Sequence, residues 1–185
     1  MANATKTPLV TVGPAVVSFP DVFVAKMAPN KEMKRSVTLI FKAGDGQAKA
    51  IKPLKDAVQA LLKEKFPDGK VPKNLKMPFR DGEEYSDKNG YEAGDIFVQF
   101  SRKESFGPIP VVGRQREEIQ PSDVYPGCLG IVATKPYYWE HKETNKKGIS
   151  FGLEAFQLFG DGERLGGAEP VDVDETFDSF DAVEE

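Results

Sequence analysis

The residues in this chain best suited to chemistry are aromatic and basic, and they occur together. Lys135-Pro136-Tyr137-Tyr138-Trp139 sets three consecutive rings behind a lysine, and Phe100-Ser101-Arg102-Lys103-Glu104-Ser105-Phe106 runs on toward Gly113-Arg114-Gln115-Arg116. Rings that stack on bases and cations that neutralise phosphates are what hold a single-stranded nucleic acid, and each stacked base contributes roughly 1–3 kcal/mol whatever its identity. Strand alternation places Tyr137 and Trp139 on one face and Tyr138 on the other. One of these faces is a candidate stacking platform; the alternative is that the cluster packs into a core. Pro136 favours an exposed or edge position. Lys135, Arg102, Lys103, Arg114 and Arg116 are the candidate phosphate contacts, with Phe106 as a further ring. Ordinary surface charge is the competing account of these residues, since Glu104, Glu117 and Glu118 dilute the positive run.

Catalytic signatures are scarce. One cysteine, Cys128, and one histidine, His141, allow neither a disulfide nor a Cys/His zinc set. Thirteen positions apart along an apparent hairpin, they read as a buried structural thiol and a surface imidazole rather than a nucleophile and its base. There is no phosphate-binding loop of the G-x-x-x-x-G-K-[ST] type, no H-E-x-x-H and no G-x-S-x-G. Asp81, Glu83, Glu84 and Asp87 cluster in one loop and could take a divalent cation; a solvated acidic loop is the simpler expectation. No cofactor is called for. No apolar run approaches the ~20 residues of a membrane span. Met-Ala-Asn-Ala-Thr-Lys at the start lacks the apolar region of a signal peptide, so the expected location is the cytoplasm.

The formal charge of −4 conceals a segregation. From Glu169 to Glu185 there are eight acids and no Lys or Arg. Removing those eight from the 29 acids leaves residues 1–168 with 25 bases and a charge of about +4. Residues 26–80 alone carry fourteen Lys/Arg against five Asp/Glu. A basic body with an acidic end is a charge asymmetry that points toward nucleic acid. Within the acidic stretch, Phe177-Asp178-Ser179-Phe180-Asp181 places two rings among carboxylates. Acids that steer and rings that anchor make Phe177, Asp178, Phe180 and Asp181 a candidate motif for docking partner proteins; the same stretch could fold back over a basic groove as a polyanion.

These groups must be positioned by the elements around them. Residues 1–9 read as a loose arm. Ala15–Phe19 and Val22–Ala25 are two short strand-like runs broken by Pro20 and Asp21. In Arg35–Lys42 alternation puts Val37, Leu39 and Phe41 on one face. Ile51, Leu54, Val58, Leu61 and Leu62 recur at helical steps, with Pro53 taken as first-turn and the residues before it as a separate turn. Residues 67–94 read as a long loop with at most a short strand near Met77–Arg80. Residues 94–103 return to strand character, and Ile109–Val112 suits a proline-flanked sheet edge. Cys128–His141 and Ile149–Phe159 form a long hairpin, with a bulge where Phe156 and Leu158 leave the face of Phe151, Leu153 and Ala155. The expected fold is mainly β with one helix: an OB-like, partly open β-barrel with the helix closing one end, over residues 1–167, then a disordered acidic tail over 168–185. A barrel edge also leaves room for a weak homo-oligomer.

Pro126-Gly127-Cys128, the aromatic strand, Lys147-Gly148-Ile149-Ser150-Phe151-Gly152-Leu153, Gln157 and Asp161-Gly162-Glu163-Arg164-Leu165-Gly166-Gly167 together resemble the bacteriophage single-stranded DNA-binding proteins that have an OB fold and an acidic C-terminal tail. The resemblance covers roughly the last third of the chain; the rest matches in order of elements. It implies a non-enzymatic protein that coats single-stranded DNA in phage replication or recombination in a bacterial cytoplasm, with a tail that recruits phage or host polymerase, primase or helicase. Asp161–Arg164 reads as a tight turn closing the barrel. One departure stands out: relatives that dock by a terminal phenylalanine differ from this chain, which ends Val183-Glu184-Glu185. Two other classes remain open from sequence: a phage interaction or structural module that never touches DNA, and a carboxylate-metal nucleic-acid enzyme.

Overall fold

The computed structural model describes residues 7–166 and 173–176. The elements are β1 (Val10–Met27), β2 (Met33–Phe41), α1 (Gln47–Lys65), β3 (Arg80–Asp81), β4 (Ile96–Lys103), β5 (Val111–Val112), β6 (Leu129–His141), β7 (Lys146–Gly160) and one helical turn, α2 (Val173–Thr176). The strands hydrogen-bond in the order β3-β4-β2-β1-β6-β7-β5. A parallel seam then joins β4 to β7, pairing Phe100 with Phe151 and Ser101 with Gly152. Five strands thus close in the order β1-β2-β4-β7-β6. The seam is two residue pairs long, so the result is an OB-like, partly open barrel, and the sheet edges left over are the two-residue β3 and β5.

Apolar alternation drives the closure. Val17, Val37, Leu39, Val98, Phe100, Val132, Phe151 and Phe156 point inward and are fully buried. Helix α1 lays Ile51, Leu54, Val58 and Leu61 on the same core and keeps its lysines outside. Among the described residues no helix is long and apolar enough to cross a membrane. After β7, residues 161–165 double back along 125–128. Tyr125 Oη donates to Asp161 Oδ1 at 2.9 Å and accepts from the Gly162 N–H at 3.1 Å, while Arg164 lies 4.3 Å over the Tyr125 ring. Gly127, at φ +107°, abuts the Glu163 carbonyl so closely that no side chain fits. The Asp161–Arg164 stretch is therefore structural, packed along 125–128 as an extended segment and not as the tight turn expected, while closure of the barrel falls to the β4–β7 seam.

Four local expectations need correction. The two runs around Pro20 are one strand: β1 passes through Pro20 because a bulge absorbs it, with Ser18 opposite Thr38 and Asp21 opposite Ser36, one residue more on β1 than on β2. Helix α1 begins at Gln47, six residues ahead of Pro53, so no separate turn precedes the proline; burial of Ile51 and Leu54 outweighs the one backbone bond that Pro53 cannot donate. The 67–94 loop is an ordered cover in its second half. Tyr85 stacks on Phe97 with centroids 4.8 Å apart, Tyr91 meets Phe97 edge-on, and Tyr91 Oη donates to Ser18 Oγ at 2.9 Å. Buried Asp95 holds that cover, accepting from Ala43 N, Glu92 N and Lys42 Nζ at 2.9, 3.0 and 2.8 Å. In β7 the extra residue ahead of Phe156 is Glu154, because Ala133 pairs with Ala155 and Thr134 with Leu153; a second, Phe159, falls where Gly130 pairs with Leu158 and Leu129 with Gly160. The face switch thus comes one step earlier than expected, and Leu153 and Phe156, three apart, both reach the core.

Cys128 is fully buried beside the 161–165 segment, and burial pushes its thiol above the ordinary range. His141 is exposed at the end of β6. The expected result is that a thiol-alkylating reagent labels Cys128 only after denaturation; rapid labelling of the native protein would contradict this placement.

Candidate nucleic-acid interface

The outer face of the barrel has two unequal halves. At one end Val16, Ile40 and Phe97 lie beneath Tyr85 and Tyr91. At the other the face is open, and register fixes what it displays. Asp21, Ser36, Ser101, Gly152 and Lys135 form one row across β1, β2, β4, β7 and β6. Its centre is therefore small residues, a low floor between taller walls. Two concavities share Lys34 and Ser101 and together make one trough along this floor, one of about 370 Å³ and the other of about 460 Å³.

The first concavity collects several of the residues singled out from sequence. Arg102, Lys103 and Phe106 come from the end of β4 and the turn after it, and Tyr137 from β6, around Gly152 and Leu153. Tyr137 is 44% exposed and Phe106 66%, which for rings of this size means open faces. Lys135, Tyr137 and Trp139 share the outer face of β6, opposite Gly152, Ser150 and Gly148 of β7. Small partners leave the rings uncrowded. Trp139 is half-buried and fixed: Nε1 donates to Ser150 Oγ at 2.9 Å, and a Cβ on Gly148 would come within 2.7 Å of its ring. Tyr138 takes the opposite face, edge-on to Phe66 at the end of α1 and packed against the main core. The alternation expected from sequence holds, and the core reading applies to Tyr138 alone of the three.

The cations have different roles. Arg102 is occupied in holding its own turn, donating from Nε to the Gly107 carbonyl at 3.2 Å, from Nη2 to the Phe106 carbonyl at 2.7 Å and from Nη1 to Glu154 Oε2 at 3.5 Å. Its guanidinium also faces the Phe106 ring at 5.8 Å, so Arg102 presents Phe106 to the trough. Lys34 and Lys103 face each other in register across β2 and β4 and clamp one carboxylate, Glu32, at 3.2 and 3.1 Å. The hydrogen bond from Lys103, then those from Lys34 and Asn30, hold the Glu32 carboxyl down at about 2. Arg114 and Arg116 lie elsewhere, on the turn after β5. Arg114 stacks 4.6 Å over Phe159 and Arg116 is exposed, and neither lines the trough. Phe177, Asp178, Phe180 and Asp181 fall outside the described residues.

Sequence reasoning missed Lys34, Glu32 and the floor of Ser36, Ser101 and Gly152. Nothing local marks them, because their meeting depends on strand register. The acidic loop does not gather as a ligand set. Asp81 Oδ1 accepts from the Glu83 N–H at 2.8 Å, Glu84 pairs with Arg80 at 2.7 Å, and among the described residues no three His, Cys, Asp or Glu are placed to hold a metal ion.

The fold has solved counterparts. The single-stranded DNA-binding protein from bacteriophage Enc34, in complex with single-stranded DNA, superposes with a TM-score of 0.66 at 23% identity, over 85% of this chain and 89% of that one. A second structure of the Enc34 protein gives 0.60 at 21% identity, over 92% and 90%. The single-stranded DNA-binding protein encoded by bacteriophage T7 gives 0.57 at 15% identity, over 97% and 100%. A search of curated proteins finds no match. Residues 8–185 match the family model described as "Enterobacter phage Enc34, ssDNA-binding protein". With nearly its whole length inside that match, the chain belongs to this family of phage single-stranded DNA-binding proteins.

Proposed function

We propose that this protein coats single-stranded DNA without sequence preference during phage DNA replication or recombination, and that the strand lies in the trough across the outer face of its OB-fold barrel. The observation that carries the reading is the joining of two exposed rings, Tyr137 and Phe106, with Lys34, Lys103 and Lys135 around a floor of small residues. Bases stack on the rings and phosphates replace Glu32 as partner of the two clamped lysines. Trp139 extends the same strand face beyond Tyr137 toward His141, and Arg102 acts by holding Phe106. Arg114 and Arg116, away from the trough, are left to flanking phosphates. The acidic tail, through Phe177, Asp178, Phe180 and Asp181, recruits polymerase, primase or helicase and competes with DNA for the basic trough when no strand is bound.

Fluorescence anisotropy of a labelled mixed-sequence strand across a salt series tests this reading, using the full chain and a version ending at Gly167. Binding to single strand and not to duplex is expected, stronger for the shorter version. Three lysines on phosphates give a log–log salt slope of about −2. Absence of binding by both versions would remove the reading. Glu32 supplies an independent check. Because its carboxyl titrates at about 2, it is ionised across the usual binding range and opposes the strand at every pH there. Its contribution to stability is complete above the ordinary carboxylate value and fades only as pH falls toward about 2. Glu32→Gln is expected to tighten binding several-fold and steepen the salt dependence, with no change between pH 6 and 8 traceable to this position. Weaker binding by the variant would mean that the carboxylate orders the lysines for DNA instead of competing with it.

A further inference from the structure

Phe19 is in an unusual position for its residue type. Val17, two residues earlier on β1, is wholly buried in the barrel, and alternation would send Phe19 to the same interior. The extra residue between Ser18 and Asp21 breaks the alternation, and Phe19 adopts φ +46°, a left-handed backbone that a side chain this large rarely takes. The outcome is a phenylalanine turned out of the core and left 52% exposed. Strained backbone that exposes a large ring calls for a compensating role. The ring lines the second concavity, with Lys26, Met27 and Lys34 around Ser36 and Ser101. That concavity continues into the one holding Tyr137 and Phe106, through the shared Lys34 and Ser101.

Resting on the reading of this trough as the single-strand interface, we propose that Phe19 is a base-stacking residue at the far end of it. The bound strand then runs across β1, β2, β4, β7 and β6, from Phe19 to Tyr137. Four strand spacings of ~4.8 Å make a path of about 19 Å. Such a path suits a short run of nucleotides, whose outermost bases meet aromatic faces while the phosphates between them pass Lys34 and Lys103. Lys26 pairs with Asp21 and lines the Phe19 half alone, whereas Lys34 lines both halves. The bulge is thus the device that lengthens the interface: a regular β1 would bury Phe19 and confine stacking to the half of the trough that holds Tyr137 and Phe106.

The test compares full-length wild type with Phe19→Gly, Phe19→Trp and Tyr137→Ala on a labelled oligothymidine, and records thermal melting of each. Glycine tolerates left-handed backbone, so Phe19→Gly is expected to melt no lower than wild type while binding about tenfold more weakly. Phe19→Trp is expected to restore affinity by offering a larger ring. Undiminished binding by Phe19→Gly, with Tyr137→Ala impaired, would overturn the role of Phe19 and leave the trough reading standing. A fall in melting temperature that accounts for the lost binding, or a Phe19→Trp variant as weak as the glycine one, would also overturn it. Failure of wild type itself to bind would remove the trough reading and this inference together.

Discussion

Tyr137→Ala is expected to weaken single-strand binding by roughly 5- to 150-fold, the span of 1–3 kcal/mol per stacked base. Its melting temperature is expected to stay close to that of wild type. The two halves of the prediction have separate causes. Tyr137 is 44% exposed on the outer face of β6, opposite Ser150, and contributes little to the core. Its open face lies in the trough with Phe106, Lys34 and Lys103. Adding Phe106→Ala should deepen the loss, since Phe106 is more exposed still and is held toward the trough by the Arg102 guanidinium, which donates to the Phe106 and Gly107 carbonyls. Measured affinities of both variants by anisotropy, with melting curves as control, check this. A Tyr137→Ala protein that binds like wild type would show that the ring serves some purpose other than stacking.

Phe151→Ala has the largest expected effect on stability. Phe151 is fully buried at the parallel seam where β7 meets β4, directly paired with Phe100 and 5.8 Å from it between centroids. Phe79 closes on it edge-on at 6.0 Å, which ties the 67–80 segment to the same point. Deleting a buried phenylalanine ring costs about 3–5 kcal/mol, a large share of the roughly 5–15 kcal/mol that holds a domain together. Because the seam is only two residue pairs long, the cavity falls where the barrel has least redundancy, and Gly152, next in sequence, is part of the trough floor. Urea denaturation should show the midpoint falling steeply, with binding per folded molecule reduced as well. A loss under about 1 kcal/mol would mean that the seam is not what closes the barrel.

Much of the barrel was legible in the sequence because alternation reports directly on burial. Val37, Leu39 and Phe41 pointed inward as their spacing required, and the long hairpin through Tyr137 and Phe151 formed in its expected place. The helix face of Ile51, Leu54, Val58 and Leu61 was equally plain. Legibility failed at irregularities. Pro20 read as a break because local propensity cannot show a neighbouring strand that tolerates a bulge. Pro53 read as a helix start for the same reason: the tertiary contacts that sustain a longer helix lie far away in the chain. The interface divided along the same line. Tyr137, Phe106, Lys103 and Arg102 stood out by type and neighbourhood, and they converge. Arg114 and Arg116 stood out equally and lie apart, while Lys34, Glu32 and Phe19 gave no local sign. Convergence is a property of register across five strands, and a single sequence carries no record of which residues face each other.

The path of the strand is the central claim, and photochemical cross-linking tests it most directly. Full-length protein bound to single-stranded DNA carrying 5-iodouracil would be irradiated, digested and sequenced by mass spectrometry. Adducts at Tyr137 and Phe106, suppressed by excess unlabelled strand, are the predicted result. Adducts confined to helix α1 or to the Arg114–Arg116 turn, with the trough unmarked, would contradict it and place the DNA on a different face of the barrel.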